Sequence, residues 1–202
     1  MSDEFSIRMS SDDGIAPPME ALQPRPDEKG PKTVAVVLIM GAILMVLVGW
    51  GDIKNSTADE YPDAAAVIEG YQNDNLSIED YQDYHDLVKK DGAYSIRGYS
   101  LLLGGTAVIV GAIMLFQLKL TGVKISLAGS IIGLIGGVTG SWRMATISND
   151  VLPEQVTYIN ELMSYVCGIC MMMCVALAAL PILNAASRAA LEPNLSLIVE
   201  EE

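Results

Sequence analysis

Four long stretches of this chain contain no acidic or basic side chain, and they constrain its fold more than any other feature. They occupy residues 33–50, 99–118, 125–142 and 162–183. A helix needs about 20 apolar residues to cross the roughly 30 Å hydrocarbon core of a bilayer, and each stretch comes near or reaches that length. Because a chain in hydrocarbon must satisfy its backbone hydrogen bonds internally, each stretch is expected to be helical. The sequence therefore predicts an all-α integral membrane protein with a four-transmembrane-helix bundle.

A soluble protein with four buried core helices is the first alternative. Its helices would be amphipathic, whereas these stretches are apolar on all sides. Composition favours the membrane, because a chain with a formal charge of −13 that is still 51% hydrophobic must concentrate its apolar residues in blocks. A cleaved signal peptide is an alternative for the first stretch alone, with "STA" at 56–58 as the cleavage site. Its apolar run exceeds the ~7–15 residues of a signal peptide, so we expect a retained span.

The distribution of basic residues predicts how the chain is threaded. Six cations near the apolar stretches would share a side with the termini, and five would lie on the opposite side. Cytoplasmic segments carry an excess of Lys and Arg, and short loops and the first helix weigh most. Lys29 and Lys32 before the first stretch, and Lys119 and Lys124 in the short turn, favour cytoplasmic termini. We predict an integral protein of the cell (plasma) membrane with both termini in the cytoplasm.

The segments between the apolar stretches differ in composition. Residues 1–32 hold five of the nine prolines and are expected to form a disordered cytosolic tail. Residues 51–98 form an acidic extracytoplasmic helical loop, the one sizeable segment outside the bilayer. The remaining segments are a short cytosolic turn at 119–124, a short outer loop at 143–161 and an acidic cytosolic tail at 184–202.

The outer loop carries eleven carboxylates against four cations, and it contains a near-repeat, IEGYQN at 68–73 and IEDYQD at 78–83. A ten-residue repeat turns a helix by about 80° less than three full turns, so one continuous helix would not align both copies. We therefore predict two short helices joined near 73–75, each turning a tyrosine inward. The first helix would begin near Thr57 and Glu60.

The second of these helices has clear terminal signals. Ser77 and Asp80 form an acidic variant of the capping box, and Gly92 is placed to end the helix. The 3, 4, 3 spacing of four residues predicts one inward face, and its histidine, the only one in the chain, is interpreted as packed rather than as a ligand. These residues are Ile78, Tyr81, His85 and Val88.

The same segment supplies the candidate residues for binding a protein partner. This loop is the one sizeable segment outside the bilayer, so its tyrosine and aspartate residues are the candidates. Calcium is an alternative ligand, but "DNLSIEDYQD" lacks the alternating Asp/Asn–Gly loop that shapes such a site, so no metal is expected. The candidates are Tyr71, Tyr81, Tyr84, Asp80 and Asp83.

Glycine recurs at every fourth position in the third apolar stretch, at Gly129, Gly133 and Gly137. Helices in lipid associate through close backbone packing, and glycines at this spacing allow it. This tandem GxxxG pattern predicts a helix–helix interface. We call these three residues the glycine stripe.

Three cysteines in the fourth stretch, Cys167, Cys170 and Cys174, form a second stripe of small residues. If Trp142 and Glu161 are taken as level, the glycines and the cysteines lie at matching depths along their helices. We therefore predict that the two stripes pack together. The predicted pairs are Gly137 with Cys167, Gly133 with Cys170, and Gly129 with Cys174.

The cysteines also allow a second interpretation, a metal or redox site. C-x-x-C at 167–170 is a thiolate spacing, and the methionines at 171–173 add soft ligands of the kind that Cu(I) prefers. No second cysteine pair or histidine lies nearby, and thiolates in hydrocarbon are costly unless a metal binds them. We interpret the cysteines as packing residues and expect no cofactor.

Several functional classes lack their usual groups in this sequence. Ion-coupled carriers keep charged residues at membrane depth, and the four stretches contain none. An intramembrane hydrolase would need a nucleophile and base or paired aspartates there. With 12 basic against 25 acidic residues, a nucleic-acid partner is not expected. We predict that the chain is not an enzyme.

Two hypotheses about function remain. The loop lengths are similar to those of claudin-type tetraspan proteins, but the tryptophan–cysteine signature of that family is missing from residues 51–98, and no family is assigned. We predict a non-catalytic polytopic membrane protein that presents its acidic helical loop to a protein partner or acts as a scaffold. The alternative is a channel or transporter subunit that forms a homo-oligomer through the glycine stripe.

Overall fold

The computed structural model describes residues 27–61 and 77–191, and within these ranges the regular structure is helical and contains no strand. Four of the helices are long and apolar enough to span a membrane: α1, α3, α4 and α5. This confirms an all-helical protein with four candidate membrane spans. The helices are α1 (Lys29–Thr57), α2 (Ile78–Asp91), α3 (Ala93–Phe116), α4 (Leu120–Val151), α5 (Glu154–Leu183) and α6 (Ala185–Leu191).

Helix α3 occupies the middle of the bundle, with α1 packed on one side and α4 on the other, while α5 lies mainly against α4. Short connections at 117–119 and 152–153 make α3 and α4, and α4 and α5, antiparallel. Gly49 lies beside Gly98 and Ala42 beside Gly105, so α1 is also antiparallel to α3. We call the end of the bundle at residues 117–119 the inner end and the end at residues 152–153 the outer end. Near the inner end, small and branched side chains from these four helices form the main apolar core. Its members include Ala35, Leu38, Val108, Ala112, Leu115, Val123 and Ala178.

The long helices extend well beyond the uncharged stretches, and this corrects the predicted short outer loop at 143–161. Helix α4 continues to Val151 and α5 begins at Glu154, so only residues 152–153 connect them. The polar residues of this region are part of the helices, and some of them form hydrogen bonds between α4 and α5. Thr157 Oγ1 lies 3.3 Å from Ser148 Oγ and donates to the Ser148 carbonyl at 3.0 Å. The hydropathy of the sequence indicates only the apolar part of each helix and does not predict its polar end.

Large aromatic side chains lie near the outer end of each long helix and face away from the bundle. Trp50, Tyr99, Trp142 and Tyr165 are 56%, 59%, 74% and 70% exposed. Each lies 18 residues from a residue near the inner end of its own helix, which is about 27 Å at 1.5 Å per residue. This length is close to the roughly 30 Å hydrocarbon core of a bilayer. The four inner residues are Lys32, Gln117, Lys124 and Leu183.

The predicted tails fall largely outside the described part of the chain. Residues 29–32 of the predicted N-terminal tail form the first turn of α1, and the tail before residue 27 is not described. The predicted C-terminal tail begins with the short helix α6 and is described only to residue 191.

Candidate functional site

The outer end of the bundle is covered by α2 together with residues 58–61, and we call these residues the outer cap. The capping box predicted for α2 is confirmed, because Ser77 Oγ accepts from the Asp80 N–H at 3.0 Å and Asp80 Oδ2 accepts from the Ser77 N–H at 3.2 Å. The Ser77 hydroxyl and backbone N–H hold the pKa of Asp80 below its usual value. Gly92 ends the helix as predicted, with the left-handed φ of 78° that glycine adopts readily.

One face of α2 is buried against the bundle. Tyr81, Tyr84, His85 and Val88 are buried, whereas Ile78, which the spacing placed on the same face, is 61% exposed. Ile78 is the first residue of the helix. Burial of this face is the reason that the short helix is stable, since a 14-residue helix is marginal without tertiary packing.

The buried face of α2 is largely aromatic. The rings of Tyr61 and Tyr81 lie 5.0 Å apart in an edge-to-face arrangement, and Tyr61 contacts His85 in a similar way at 5.4 Å. The two ring nitrogens of His85 lie 3.4 Å from Tyr94 Oη and 3.4 Å from the Ala58 carbonyl oxygen. His85 is therefore a packed residue, as the sequence indicated.

Polar contacts link α2 to residues 58–61 within the cap, and link the cap to α4. Lys89 Nζ donates to the Ala58 carbonyl at 2.7 Å and to Asp59 Oδ1 at 3.2 Å. On the opposite side, Arg143 Nη2 of α4 donates to Asp91 Oδ1 at 3.0 Å. With the aromatic cluster, these contacts hold the cap in one orientation on the bundle.

A buried ion pair joins α1 to α3 directly beneath the cap. Arg97 donates to both carboxylate oxygens of Asp52, from Nε at 2.7 Å and from Nη2 at 2.6 Å. The helices approach closely here, because a Cβ on Gly49 would lie 2.9 Å from the Gly98 carbonyl oxygen. Arg97 Nη1 also lies 3.4 Å from Ser141 Oγ on α4. One bidentate pair thus links two helices and reaches a third.

The sequence did not predict this pair, which was assigned to the loop at 51–98. A signal was present. Asp52 lies two residues beyond Trp50, and Arg97 lies two residues before Tyr99, so each is the first charged residue outside its apolar stretch. Because α1 and α3 are antiparallel, residues just outside their apolar stretches lie at similar depth. These two residues carry opposite charges, so they can form an ion pair.

The structure separates the predicted partner-binding residues into three groups. Tyr81 and Tyr84 are 8% and 6% exposed, so their rings are used in packing and are not available to a partner. The Asp80 carboxylate is occupied by the capping box. Asp83 is exposed. The predicted start of the first loop helix at Thr57 and Glu60 is wrong, because Thr57 ends α1 and residues 58–61 are not helical. Tyr71 and the rest of that predicted helix lie outside the described residues.

The outward side of α2 is acidic. Glu79, Asp83 and Asp86, spaced four and three residues apart, are exposed on one side of the helix, and we call them the acidic face. Within the described ranges none of the three forms an ion pair. Gln82 Nε2 donates to Asp86 Oδ1 at 3.1 Å. These carboxylates lie on a helix that packs against the bundle, and Lys90 follows Asp86 by four residues on the same side of α2.

Tyr84 provides a test of how deeply the cap is buried. Burial raises the pKa of Tyr84 from 10.0 to about 12, and the positive charge of Arg97 opposes this shift only in part. Because the folded-state pKa is raised, the contribution of Tyr84 to stability is complete below pH 10 and is lost as the pH rises through about 12. We expect the ultraviolet difference between wild type and Tyr84→Phe to show one tyrosine ionising near pH 12. A difference that develops near pH 10, while circular dichroism remains native, would contradict the buried position.

The glycine stripe contacts α3 closely. A Cβ on Gly129 would lie 2.7 Å from the Gly104 carbonyl oxygen, and a Cβ on Gly104 would lie 2.8 Å from the Gly133 nitrogen. Gly133 also faces the end of the Met45 side chain from α1. The stripe therefore lies at an interface inside the chain, and its main partner is α3 instead of the cysteines of α5.

The predicted pairing of Gly137 with Cys167 is wrong. Gly137 faces Met171 and not Cys167, because a Cβ on Gly137 would lie 2.7 Å from the Met171 sulfur. Met171 lies four residues, about one turn, beyond Cys167 along α5, so the predicted pair is not formed. Continuous helices up to the connection at 152–153 determine this register, whereas a flexible loop at 143–161 would have left it free.

The other predicted glycine–cysteine pairs are also wrong. Among the described residues outside α4, only Met45 has atoms within 4 Å of a Cβ on Gly133, so Cys170 is not its neighbour, and Cys170 is exposed. Cys174 Sγ lies 3.2 Å from the Cβ position of Gly41 on α1. Among the described residues, no group of three or more His, Cys, Asp or Glu side chains could hold a metal ion.

Comparison of the chain with models of protein families, with curated proteins and with solved structures finds no match. The function is therefore inferred from the geometry of the outer cap and of the bundle.

Proposed function

We propose that this protein is a non-catalytic polytopic membrane protein that presents the acidic face of its outer cap to a protein partner outside the cell membrane. One observation carries the proposal. Helix α2 buries its aromatic side against the bundle and exposes Glu79, Asp83 and Asp86 without ionic partners in the described ranges. An exposed, predominantly acidic pattern on a helix packed against the bundle favours a partner of opposite charge, because complementary charges accelerate encounter and suppress other partners.

The membrane placement is supported by the dimensions of the bundle. The four outer aromatic residues, Trp50, Tyr99, Trp142 and Tyr165, match the aromatic belts found at membrane interfaces. Short loops and the start of the first helix weigh most in setting orientation, and Lys29, Lys32, Lys119 and Lys124 at the inner end favour a cytoplasmic location for that end and for both termini. The outer cap then lies outside the cell.

The alternative, a channel or transporter subunit, would need the glycine stripe for contacts between copies. Gly129 and Gly133 are instead in contact with α3 of the same chain. A homo-oligomer built on this stripe would have to displace α3, so the geometry favours the scaffold. Absence of ion conductance in liposomes that contain the purified chain would agree with this preference.

Neutralising the acidic face tests the proposal. A photoreactive amino acid at Leu87, which is 42% exposed on α2, would capture the partner in native membranes. We expect Glu79→Gln, Asp83→Asn and Asp86→Asn together to reduce this capture about tenfold, since each exposed charge contributes up to ~1 kcal/mol. Raised salt should have the same effect in the wild type.

The matched control neutralises two exposed carboxylates of the outer end that lie outside α2, with Asp150→Asn and Glu154→Gln. This variant should capture the partner as the wild type does. Equal losses in both variants would show that only total charge matters, and unchanged capture in the triple variant would remove the acidic face from the interaction.

A further inference from the structure

A long groove runs along the side of the bundle between α4 and α5. Its volume is about 760 Å³, within the range of ordinary ligand sites. Helix α5 is the least covered of the long helices. In its most apolar 18-residue segment 17% is buried, against 39% in the corresponding segments of α3 and α4. The deeper part of the groove is apolar, with walls formed by Leu134, Ile135, Val138, Ile169 and Met172.

The outer part of the same groove is polar. Thr146, Asn149, Glu161 and Ser164 line it, and Asn149 Nδ2 donates to Glu161 Oε1 at 3.3 Å. Among the described residues that line the groove, Glu161 alone has an acidic or basic side chain, so a carboxylate lies at the polar end. An occupant that brings a positive charge to this end is favoured over an anionic one.

Two aromatic residues of the groove mark where the polar and apolar parts meet. Trp142 and Tyr165 both line it, and they are 74% and 70% exposed. From Trp142, the groove extends eight residues inward to Leu134, about 12 Å, and seven residues outward to Asn149, about 10 Å. The inward length is close to the ~15 Å of hydrocarbon in one leaflet, and the outward length reaches the head-group region.

From these features we propose that the groove binds one lipid of the outer leaflet whose head group carries an ammonium. Its acyl chain lies along the apolar walls, and its ammonium lies beside Glu161 and over the exposed aromatic rings. A carboxylate with aromatic faces is the combination that recognises ammonium groups. This inference rests on the membrane placement in the proposed function, but it does not depend on the acidic face.

Photoactivatable lipids would test the site in the full chain. Purified protein in nanodiscs would be exposed to phosphatidylethanolamine or phosphatidylglycerol probes with the reactive group in the acyl chain, and labelled peptides would be mapped by mass spectrometry. We expect peptides of α4 and α5 to label more with the ethanolamine probe. Glu161→Gln should reduce this preference about two- to fivefold, while Glu154→Gln, which neutralises an exposed carboxylate at the start of α5, should leave it unchanged.

A second variant fills the groove without disturbing the bundle. Gly168 lines the groove, and the nearest side-chain atom to a Cβ there is 3.9 Å away, so Gly168→Leu has room and should reduce labelling by both probes. Circular dichroism and thermal unfolding would check that it folds. Equal labelling by both head groups, or no response to Glu161→Gln, would overturn the proposal.

Crosslinking between two copies at the groove would likewise overturn the proposal and would identify the occupant as another protein chain.

Failure of the lipid site is distinguishable from failure of the proposed function. Capture through Leu87 does not involve the groove, and reaction of an Asp83→Cys variant with a membrane-impermeant thiol reagent tests the placement independently.

Discussion

Replacing Arg97 by methionine is expected to lower the free energy of unfolding by about 3–5 kcal/mol, because it leaves a buried carboxylate without its counter-charge. The Asp52 side chain is only 5% exposed and receives two N–H groups from Arg97, at 2.6 and 2.7 Å. No other basic side chain forms an ion pair with it in the described part of the chain. Unfolding in mixed micelles with increasing SDS, followed by tryptophan fluorescence, measures the loss.

Removing the acidic partner instead should lower the free energy of unfolding by less. Asp52→Leu leaves Arg97, whose side chain is 22% exposed and can turn its guanidinium toward water. The double variant should be more stable than Arg97→Met alone, since replacing both buried charges by apolar groups is often close to neutral.

The matched control for the ion pair is Glu28→Gln, which breaks the exposed pair with Lys32. Its effect should remain below about 1 kcal/mol. If Arg97→Met cost no more than Glu28→Gln, the ion pair would not be a buried link between α1 and α3.

Adding a methyl group at Gly104 is the second substitution expected to have a large effect. Its Cβ would lie 2.7 Å from the Gly129 carbonyl oxygen and 2.8 Å from the Gly133 nitrogen. Both are backbone atoms of α4, so the clash can be relieved only by moving the two helices apart. We expect Gly104→Ala to lower the free energy of unfolding by about 1–3 kcal/mol, and Gly104→Leu by more.

Gly51→Ala is the control for this series, because Gly51 lies within α1 and no described atom outside its own stretch of helix lies within 4 Å of the new Cβ. Alanine favours a helix over glycine by up to about 1 kcal/mol, so this variant should match or exceed wild-type stability. The same SDS titration serves both variants. Equal stability of Gly104→Ala and Gly51→Ala would show that α3 and α4 are not in close backbone contact.

Much of the local structure could be predicted from the sequence. Uncharged stretches of about 20 residues form apolar helices whichever neighbours they have, because their backbones must bond internally. The start of α2 at Ser77 and Asp80 and its end at Gly92 were also predictable, since capping involves groups only three residues apart or a single backbone conformation.

The candidate site was predicted less well. Tyr81 was correctly expected to face inward, but that same burial removes it from the surface offered to a partner. Tyr84 is spaced three residues from Tyr81 and falls on the same buried side. Asp83 alone among the described candidates remains an exposed carboxylate free of the capping box.

By itself, then, the sequence determined that the four uncharged stretches are helical and where α2 begins and ends, because these depend on residues close together in the chain. Only the tertiary structure decided that Gly129 meets Gly104, that Asp52 meets Arg97, and how α5 aligns with α4. These contacts depend on the rotation and register of whole helices. Many residues far apart contribute to both, and an apolar helix can pack in several ways with a similar hydrophobic gain.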